Sequence, residues 1–282
     1  MNREIEWLLN EKYQGVKNAA FDTDCARLEA GEPLGYLIGH VPFLDCTIHL
    51  DSHPLIPRVE TEFWTEQAIT TIKQRPAVIV SEARLSSVVQ SSLDCFVPRK
   101  DERPNTRGRT PKILDLCAGS GAIGVAVARA VSNAEVTFAE IDSAHLPTIK
   151  KNLIDNLQDQ PFIRMKGCRL VQSNLFSNIV GTFDFILTNP PYIDAAANTV
   201  AADVADYEPH LALFGGISGM EIIARIIAEA PSHLTPTGQL WIEHEPAQVS
   251  AITALAHDQG FTCVTHPDQY DTPRFSVLTM AQ

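Results

Sequence analysis

Short apolar runs alternate with amphipathic segments through the second half of the chain. Apolar strands are predicted at 112–117, 135–141, 168–172, 183–188, 239–243, 261–265 and 275–280. Amphipathic helices are predicted between them, at 121–131, 143–157, 219–230 and 249–259. Alternating strands and helices with short connections indicate an α/β fold, with a largely parallel sheet covered on both faces.

The first part of the chain has a different pattern. Residues 1–40 are mostly polar and are predicted to be helical. Residues 43–50, FLDCTIHL, alternate apolar and polar positions, which is typical of strand structure. In the following LIPRVETEFWTEQAITTIK, Pro57 is expected to open a helix, and Glu60 and Glu62 suit its first turns because the helix dipole favours acids there.

Residues 74–111 interrupt the α/β pattern. The stretch VPRKDERPNTRGRTP is polar, basic and rich in proline, which is typical of an exposed loop. Its arginines could contact a polyanion, but runs of charge are more often solvated, so a linker is favoured. These arginines are Arg99, Arg103, Arg107 and Arg109.

Composition narrows the class of protein. The length of 282 residues suits one large domain, or one with a small accessory, and no apolar run reaches the ~18 residues of a membrane span. The net charge of −12 makes general nucleic-acid binding unfavourable. Six scattered cysteines form no CxxC pair, so no metal site is expected and a reducing, cytoplasmic setting is favoured. The N-terminus lacks the pattern of a signal peptide.

A glycine-rich loop follows the strand at 112–117. ILDLCAGSGAIG contains Gly119-x-Gly121-x-x-Gly124 between a strand and a helix, where glycines let the backbone turn tightly beside a ligand. The glycine pattern alone would serve NAD, FAD or S-adenosylmethionine.

Two acidic residues at strand ends beside that loop distinguish between these cofactors. Asp115, at the strand end, suits a cationic amino-acid cofactor and would repel a pyrophosphate. Glu140, at the end of the next strand, can accept both ribose hydroxyls. The pair predicts S-adenosylmethionine as the cofactor.

The strand FDFILT ends in Asn189-Pro190-Pro191-Tyr192. Ligands of open α/β sheets bind at the carboxyl ends of strands, so this turn is expected to face the same crevice as the glycine loop. The prolines fix φ and leave carbonyl acceptors rigidly placed. The Asn189 Oδ1 and the Pro190 carbonyl can accept the two N–H groups of a target –NH2, and Tyr192 is expected to pack on its flat group. This arrangement predicts methyl transfer to a planar nitrogen.

The segments together resemble the HemK/PrmC family of protein-(glutamine-N5) methyltransferases, which modify class 1 peptide chain release factors. The resemblance covers nearly the whole chain and rests on GEPLGYLIGHVPF at 31–43, HPLIPRVETE at 53–62, ILDLCAGSGAIG, NPPYI, YEPHLALFGGISGMEII at 207–223 and QLWIEHEPAQ at 239–248. NPPY is shared with amino-methyltransferases of DNA and RNA. The other segments make the match specific.

The resemblance implies a Rossmann-like, seven-stranded class I methyltransferase sheet with its last strand antiparallel. It implies an N-terminal helical substrate-recognition domain and hinge at 1–52, a catalytic domain at 53–282, and a monomer that takes the glutamine of a Gly-Gly-Gln loop. Glutamine contacts are expected at Asn189 to Tyr192. Cofactor contacts are expected at Cys117, Ala118, Gly119, Ser120, Gly121, Glu140, Asn174, Leu175 and Asn189, where Asn174 and Leu175 replace the family's usual Asp and aromatic residue.

Two other functions remain open from the sequence. An amino-methyltransferase acting on adenine or guanine in nucleic acid would share NPPY and use the arginine cluster, but the net charge opposes it. A non-catalytic cofactor-binding protein would require a lost residue, whereas Asp115, Glu140 and NPPY are all present. Glu243-His244-Glu245 could indicate acid–base or metal chemistry, but a structural role at a strand end is favoured.

Overall fold

The computed structural model describes residues 3–75, 110–158, 167–194, 196 and 206–281. The predicted loop at 74–111, with its four arginines, lies almost entirely outside the described residues. Helices within them are α1 (Arg3–Glu11), α2 (Ala19–Glu29), α3 (Leu34–Ile38), α4 (Val59–Gln74), α5 (Ala122–Ala130), α6 (Leu146–Asn156), α7 (His210–Leu213), α8 (Glu221–Glu229) and α9 (Val249–Asp258). Strands are β1 (His40–Phe43), β2 (Cys46–His49), β3 (Lys112–Leu116), β4 (Glu135–Glu140), β5 (Cys168–Gln172), β6 (Phe183–Thr188), β7 (Leu234–Glu243), β8 (Phe261–Pro267) and β9 (Pro273–Met280).

Seven strands form one sheet in the order β5-β4-β3-β6-β7-β9-β8. The pairs from β5 to β7 are parallel, and β9 is antiparallel to both of its neighbours. The α/β, Rossmann-like, seven-stranded fold with an antiparallel last strand is therefore confirmed. The chain reverses its direction of winding between β3 and β6, and such switch points are where open α/β sheets bind ligands.

Apolar side chains fill both faces of the sheet. One core packs α4, α5 and α6 against the sheet, and the other packs α8 and α9 on the opposite face. The central strand β6 is buried at all six positions, which explains its unbroken apolar sequence. Trp64 and Trp241 lie in the first core.

The strand-like stretch at 43–50 contains a turn. Residues 40–49 form an antiparallel hairpin, β1–β2, with Leu44 in the turn at φ +50°. Alternation alone cannot show a turn inside such a run. The hairpin packs on α6, where Asn152 and Asn156 accept the backbone N–H groups of His49 and Thr47 at 2.7 and 2.9 Å.

The N-terminal helices α1 to α3 have a small core of their own. Leu8, Leu9, Phe21 and Leu37 are its buried residues. α2 begins after Asn18, whose side chain accepts the N–H of Phe21 at 2.9 Å and so caps the helix. The boundary of a separate domain at residue 52 stays a prediction, since the hairpin before it packs into the larger core.

No helix of the described ranges has the length and apolar content that crossing a bilayer requires.

Candidate active site

Four neighbouring strands of the sheet end within one residue of one another. Leu116 of β3 pairs with Ala139 and Thr188, and Thr188 of β6 pairs with Ile242. The next residues along these strands are Glu140, Cys117, Asn189 and Glu243. The glycine loop and the NPPY turn therefore meet at the switch point, as the sequence predicted.

The loop between β3 and α5 requires glycine at particular positions. Gly119 and Gly121 have φ of +55° and +78°. A Cβ at Gly121 would also lie 2.9 Å from the side chain of Ile149. Cys117 adopts φ +60° with a full side chain, which is a strained conformation. Burial, together with the charge of Glu140, raises the pKa of its thiol to about 12, so the thiol stays protonated.

Asp115 lies behind this loop and lines neither cavity described below. Its Oδ2 accepts the Gly124 N–H at 2.8 Å, and its Oδ1 is buried without a hydrogen bond. Burial raises the pKa of this carboxyl well above its ordinary value. Asp115 thus holds the start of α5, and its predicted attraction for a cationic cofactor stays a prediction.

Glu140 sits at the end of β4 and faces a cavity beside the glycine loop. Its two oxygens accept the N–H groups of Gly119 and Asp142 at 2.7 and 2.9 Å. The carboxylate therefore joins the glycine loop to the turn after β4. Each oxygen has a further lone pair for a ligand hydroxyl.

This cavity has a volume of about 870 Å³ including its mouth. It contains the predicted residues Cys117, Gly119, Glu140, Asn174, Leu175 and Asn189. Ala118, Ser120 and Gly121 belong to the loop but not to the cavity wall. The sequence missed other wall residues, which come from the ends of β4 and from the segments before α4 and around α7: Leu55, Ile141, Asp142, His145, Leu211 and Phe214.

A smaller cavity opens on the other side of Asn189. Its walls include Leu55, Arg58, Pro190, Tyr192 and Ala212. Its volume is about 370 Å³ with its mouth. Asn189 lines both cavities, so a group held in one can meet a group held in the other at this residue.

Asn189 presents its oxygen without a partner. Its Nδ2 donates to Thr61 Oγ1 at 3.1 Å. Within the described part of the chain, no donor contacts its Oδ1 or the carbonyl of Pro190. Both acceptors are free for the two hydrogens of a target –NH2.

Tyr192 is held by a buried acid. Its hydroxyl donates to Glu243 Oε1 at 3.0 Å. Burial and the Glu243 charge raise the pKa of Tyr192 well above its ordinary value, so the hydroxyl keeps its proton. Glu243 ends β7, as predicted, and it lies beneath the NPPY turn.

A glycine-rich segment after α7 fixes the NPPY backbone. Ile193 and Phe214 form a parallel bridge. Gly215 and Gly219 pack so closely that a Cβ on either would overlap the carbonyl oxygen of Pro191 or Tyr192. Gln248, from the QLWIEHEPAQ segment, donates to the Tyr192 carbonyl at 2.8 Å.

An ion pair joins two of the sequence segments that carry the resemblance. Arg58 of HPLIPRVETE donates to Glu208 of YEPHLALFGG, and Glu208 also accepts the Ile56 N–H at 3.2 Å. Glu208 is buried. Arg58 lines the smaller cavity, so this ion pair fixes part of its wall.

No cluster of His, Cys, Asp or Glu suited to a metal ion occurs among the residues that the structure describes.

Comparison with known proteins identifies the family. The methyltransferase small domain family matches residues 101–206. The chain is 32% identical over 247 residues to a release factor glutamine methyltransferase of Rhodopirellula baltica, covering 86% of this chain and 72% of the relative. A protein of the same name from Francisella tularensis is 31% identical over 242 residues, with 86% and 72% covered.

A solved structure supports the fold. The catalytic domain of hMettl16, in complex with MAT2A 3′UTR hairpin 6, superposes with a TM-score of 0.54 at 12% identity. The match covers 84% of this chain and 76% of that chain. At this identity the likeness concerns the fold alone.

S-adenosylmethionine is the cofactor, and the large cavity suits it. Glu140 offers acceptors for ribose hydroxyls, and Leu175 and Ile222 give apolar walls for a flat base. The strand order of the sheet, the two cavities that share Asn189 and the matched relatives all indicate a methyltransferase. The chain belongs to the family of release factor glutamine methyltransferases.

Proposed function

We propose that the protein transfers a methyl group from S-adenosylmethionine to the side-chain amide nitrogen of the glutamine in the Gly-Gly-Gln loop of a peptide chain release factor. One observation carries the proposal for this chain. Asn189, whose Oδ1 has no donor among the residues that the structure describes, lines both the cofactor cavity and the smaller second cavity. A glutamine side chain is a narrow arm that ends in a planar –NH2.

The acceptors of the NPPY turn orient that nitrogen. An amide nitrogen is a poor nucleophile because its lone pair is delocalised into the carbonyl. Oδ1 of Asn189 and the carbonyl of Pro190 each take one N–H, which directs the remaining lone pair toward the cofactor. Positioning of this kind can supply ~7–11 kcal/mol of the barrier.

The cofactor supplies a methyl group on a cationic sulfur, which the nitrogen attacks in line. No side-chain base is needed before attack, because the methylated amide is a strong acid and then loses its proton readily. The buried acid Glu243 supports this view, since it lines neither cavity and is occupied by hydrogen bonds within the protein. Transfer thus depends on geometry.

The partner is a class 1 release factor. We assign its docking to the face formed by the N-terminal helices and the mouth of the smaller cavity, with the protein acting as a cytoplasmic monomer. Tyr207 supports a fixed relation between the two parts, since its hydroxyl donates to the Ala30 carbonyl at 3.3 Å. Leu211, which lines the cofactor cavity, and Ile217 are exposed apolar side chains available to a protein partner.

The alternative is methylation of adenine or guanine in nucleic acid. The net charge of −12 opposes it, and the arginine cluster that would favour it lies outside the described residues. The two functions predict different acceptors.

Transfer of labelled methyl from S-adenosylmethionine tests the proposal. The acceptors are a release factor, the same factor with the loop glutamine changed to alanine, duplex DNA and structured RNA. We expect label in the first alone. Label in nucleic acid, with none in the release factor, would instead show that the NPPY site serves the alternative function.

A further inference from the structure

Asn189 is backed by a chain of buried hydrogen bonds that runs away from both cavities. Its Nδ2 donates to Thr61 Oγ1 at 3.1 Å, and Thr61 donates to Glu243 Oε2 at 2.7 Å. Trp64 Nε1 donates to the same carboxylate oxygen at 2.7 Å. Thr61, Trp64 and Glu243 are at most 3% exposed. These three residues are absent from the walls of both cavities.

The direction of each hydrogen bond in this chain is fixed by chemistry. An indole N–H can only donate, and both oxygens of the ionised Glu243 carboxylate can only accept, so Oε2 is an acceptor at a pH where Glu243 is ionised. The Thr61 hydroxyl has one hydrogen, which it gives to that oxygen. The oxygen of Thr61 must then accept from Asn189, which can offer only its –NH2 half.

This direction decides which half of the Asn189 amide faces the target. The two halves have nearly the same shape, so packing alone distinguishes them poorly. With –NH2 turned inward, Oδ1 is left for the target nitrogen. With the amide reversed, donor would face donor and the target –NH2 would lose an acceptor.

We propose that Trp64, Glu243 and Thr61 are positioning residues that hold the Asn189 amide with its oxygen toward the target nitrogen. The inference rests on the proposed function, since it explains how that nitrogen meets an acceptor. The same carboxylate receives the Tyr192 hydroxyl at its other oxygen. One buried acid therefore fixes both ends of the NPPY turn.

Thr61 gives the cleanest test. Thr61→Val keeps the shape and removes the hydroxyl, whereas Thr61→Ser keeps the hydroxyl. We expect kcat with release factor to fall roughly ten- to hundredfold in Thr61→Val and to stay within about threefold in Thr61→Ser. The dissociation constant for S-adenosylmethionine and the melting temperature should change little in either, which separates orientation from folding.

A second test is designed to reverse the direction of these hydrogen bonds. In Glu243→Gln, the Trp64 indole still requires an oxygen at the shared position, so the direction is kept. In Trp64→Phe, the carboxylate can still only accept. In the double variant, the glutamine can turn its –NH2 to Thr61, which then donates to Asn189 and reverses it. The loss of kcat in the double variant should therefore exceed the product of the single losses about tenfold.

The outcomes distinguish a failure of the positioning role from a failure of the proposed function. Wild-type kcat in a folded Thr61→Val would overturn the positioning role, and so would single losses that multiply to the double loss. Should Thr61→Val fail to bind cofactor, the Trp64 and Glu243 variants decide. A wild-type protein that transfers no methyl to release factor would instead overturn the proposed function.

Discussion

Gly219 packs directly against the carbonyl oxygen of Tyr192, with no room for a Cβ between them. The contact explains why a glycine-rich segment far along the chain accompanies NPPY. Gly219 has φ +67°, and a Cβ there would also lie 2.6 Å from Gln248 Nε2, the donor to the same carbonyl.

Gly219→Ala should therefore displace the NPPY turn. Gly181→Ala is the matched control, because Gly181 has φ +97° but nothing within 4 Å of an added Cβ. Both variants incur the left-handed strain of ~1–2 kcal/mol. Gly219→Ala should lose a further ~1–3 kcal/mol and most of its turnover. Urea unfolding and initial rates measure both. Equal effects in the two variants would mean that the close contact is not needed.

Glu140→Ala should weaken binding of S-adenosylmethionine at least tenfold. The change removes a charged acceptor, and hydrogen bonds to charged groups contribute ~1.5–3 kcal/mol. It also frees the Gly119 and Asp142 N–H groups that shape the wall of the cavity. Glu135→Ala is the control, since Glu135 is exposed at the other end of the same strand. Titration calorimetry that gives equal affinity for both variants would remove Glu140 from the site.

Asn189→Ala should abolish turnover while the protein stays folded, because it removes the acceptor that places the nucleophile. Asn189→Asp keeps an acceptor, so the release factor should still bind, with a lower kcat. Since Asn189 also lines the cofactor cavity, affinity for S-adenosylmethionine must be measured in both variants. Full activity of Asn189→Ala would exclude the residue from orientation of the amide.

Glu243 should give the stability of the protein a specific pH dependence. Burial raises its pKa above the ordinary value of 4.5, despite hydrogen bonds from Trp64, Thr61 and Tyr192 and the nearby charge of Arg274. The folded state therefore holds this proton more tightly than the unfolded state. The contribution is complete below pH 4.5 and is lost as pH rises through the raised pKa.

Glu243→Gln removes this titration. The free energy of unfolding of Glu243→Gln, relative to the wild type, should increase as pH rises through that window and then level off. Urea unfolding from about pH 4 to about pH 8 measures the difference. A difference that is constant, or that falls with pH, would show that the carboxyl is not destabilised by burial.

Local sequence patterns predicted the strands and helices of the sheet because burial on both faces leaves continuous apolar runs. β6 is the clearest case. The position of the site followed from the same pattern, since Glu140 and Asn189 both sit where strands end. The β1–β2 hairpin was missed because its turn, at Leu44, keeps an apolar residue inside an alternating run.

The contacts behind the site could not be predicted locally. Thr61 meets Glu243 across 182 positions, and Arg58 meets Glu208 across 150. Such pairs depend on the crossing of α4 behind the sheet edge. The sequence identified Glu243 as a residue at a strand end, but its partners came from another part of the chain. The place of Asp115 in the motif likewise did not reveal that its side chain accepts the Gly124 N–H in α5 and is absent from the walls of both cavities.

The most direct test locates the transferred methyl group. Wild-type protein, S-adenosylmethionine and a release factor are incubated with an equal amount of nucleic acid, and the products are analysed by fragmentation mass spectrometry. We expect one added methyl on the side-chain nitrogen of the glutamine in Gly-Gly-Gln, absent with Asn189→Ala. A methyl on adenine or guanine, with an unmodified release factor, would contradict it.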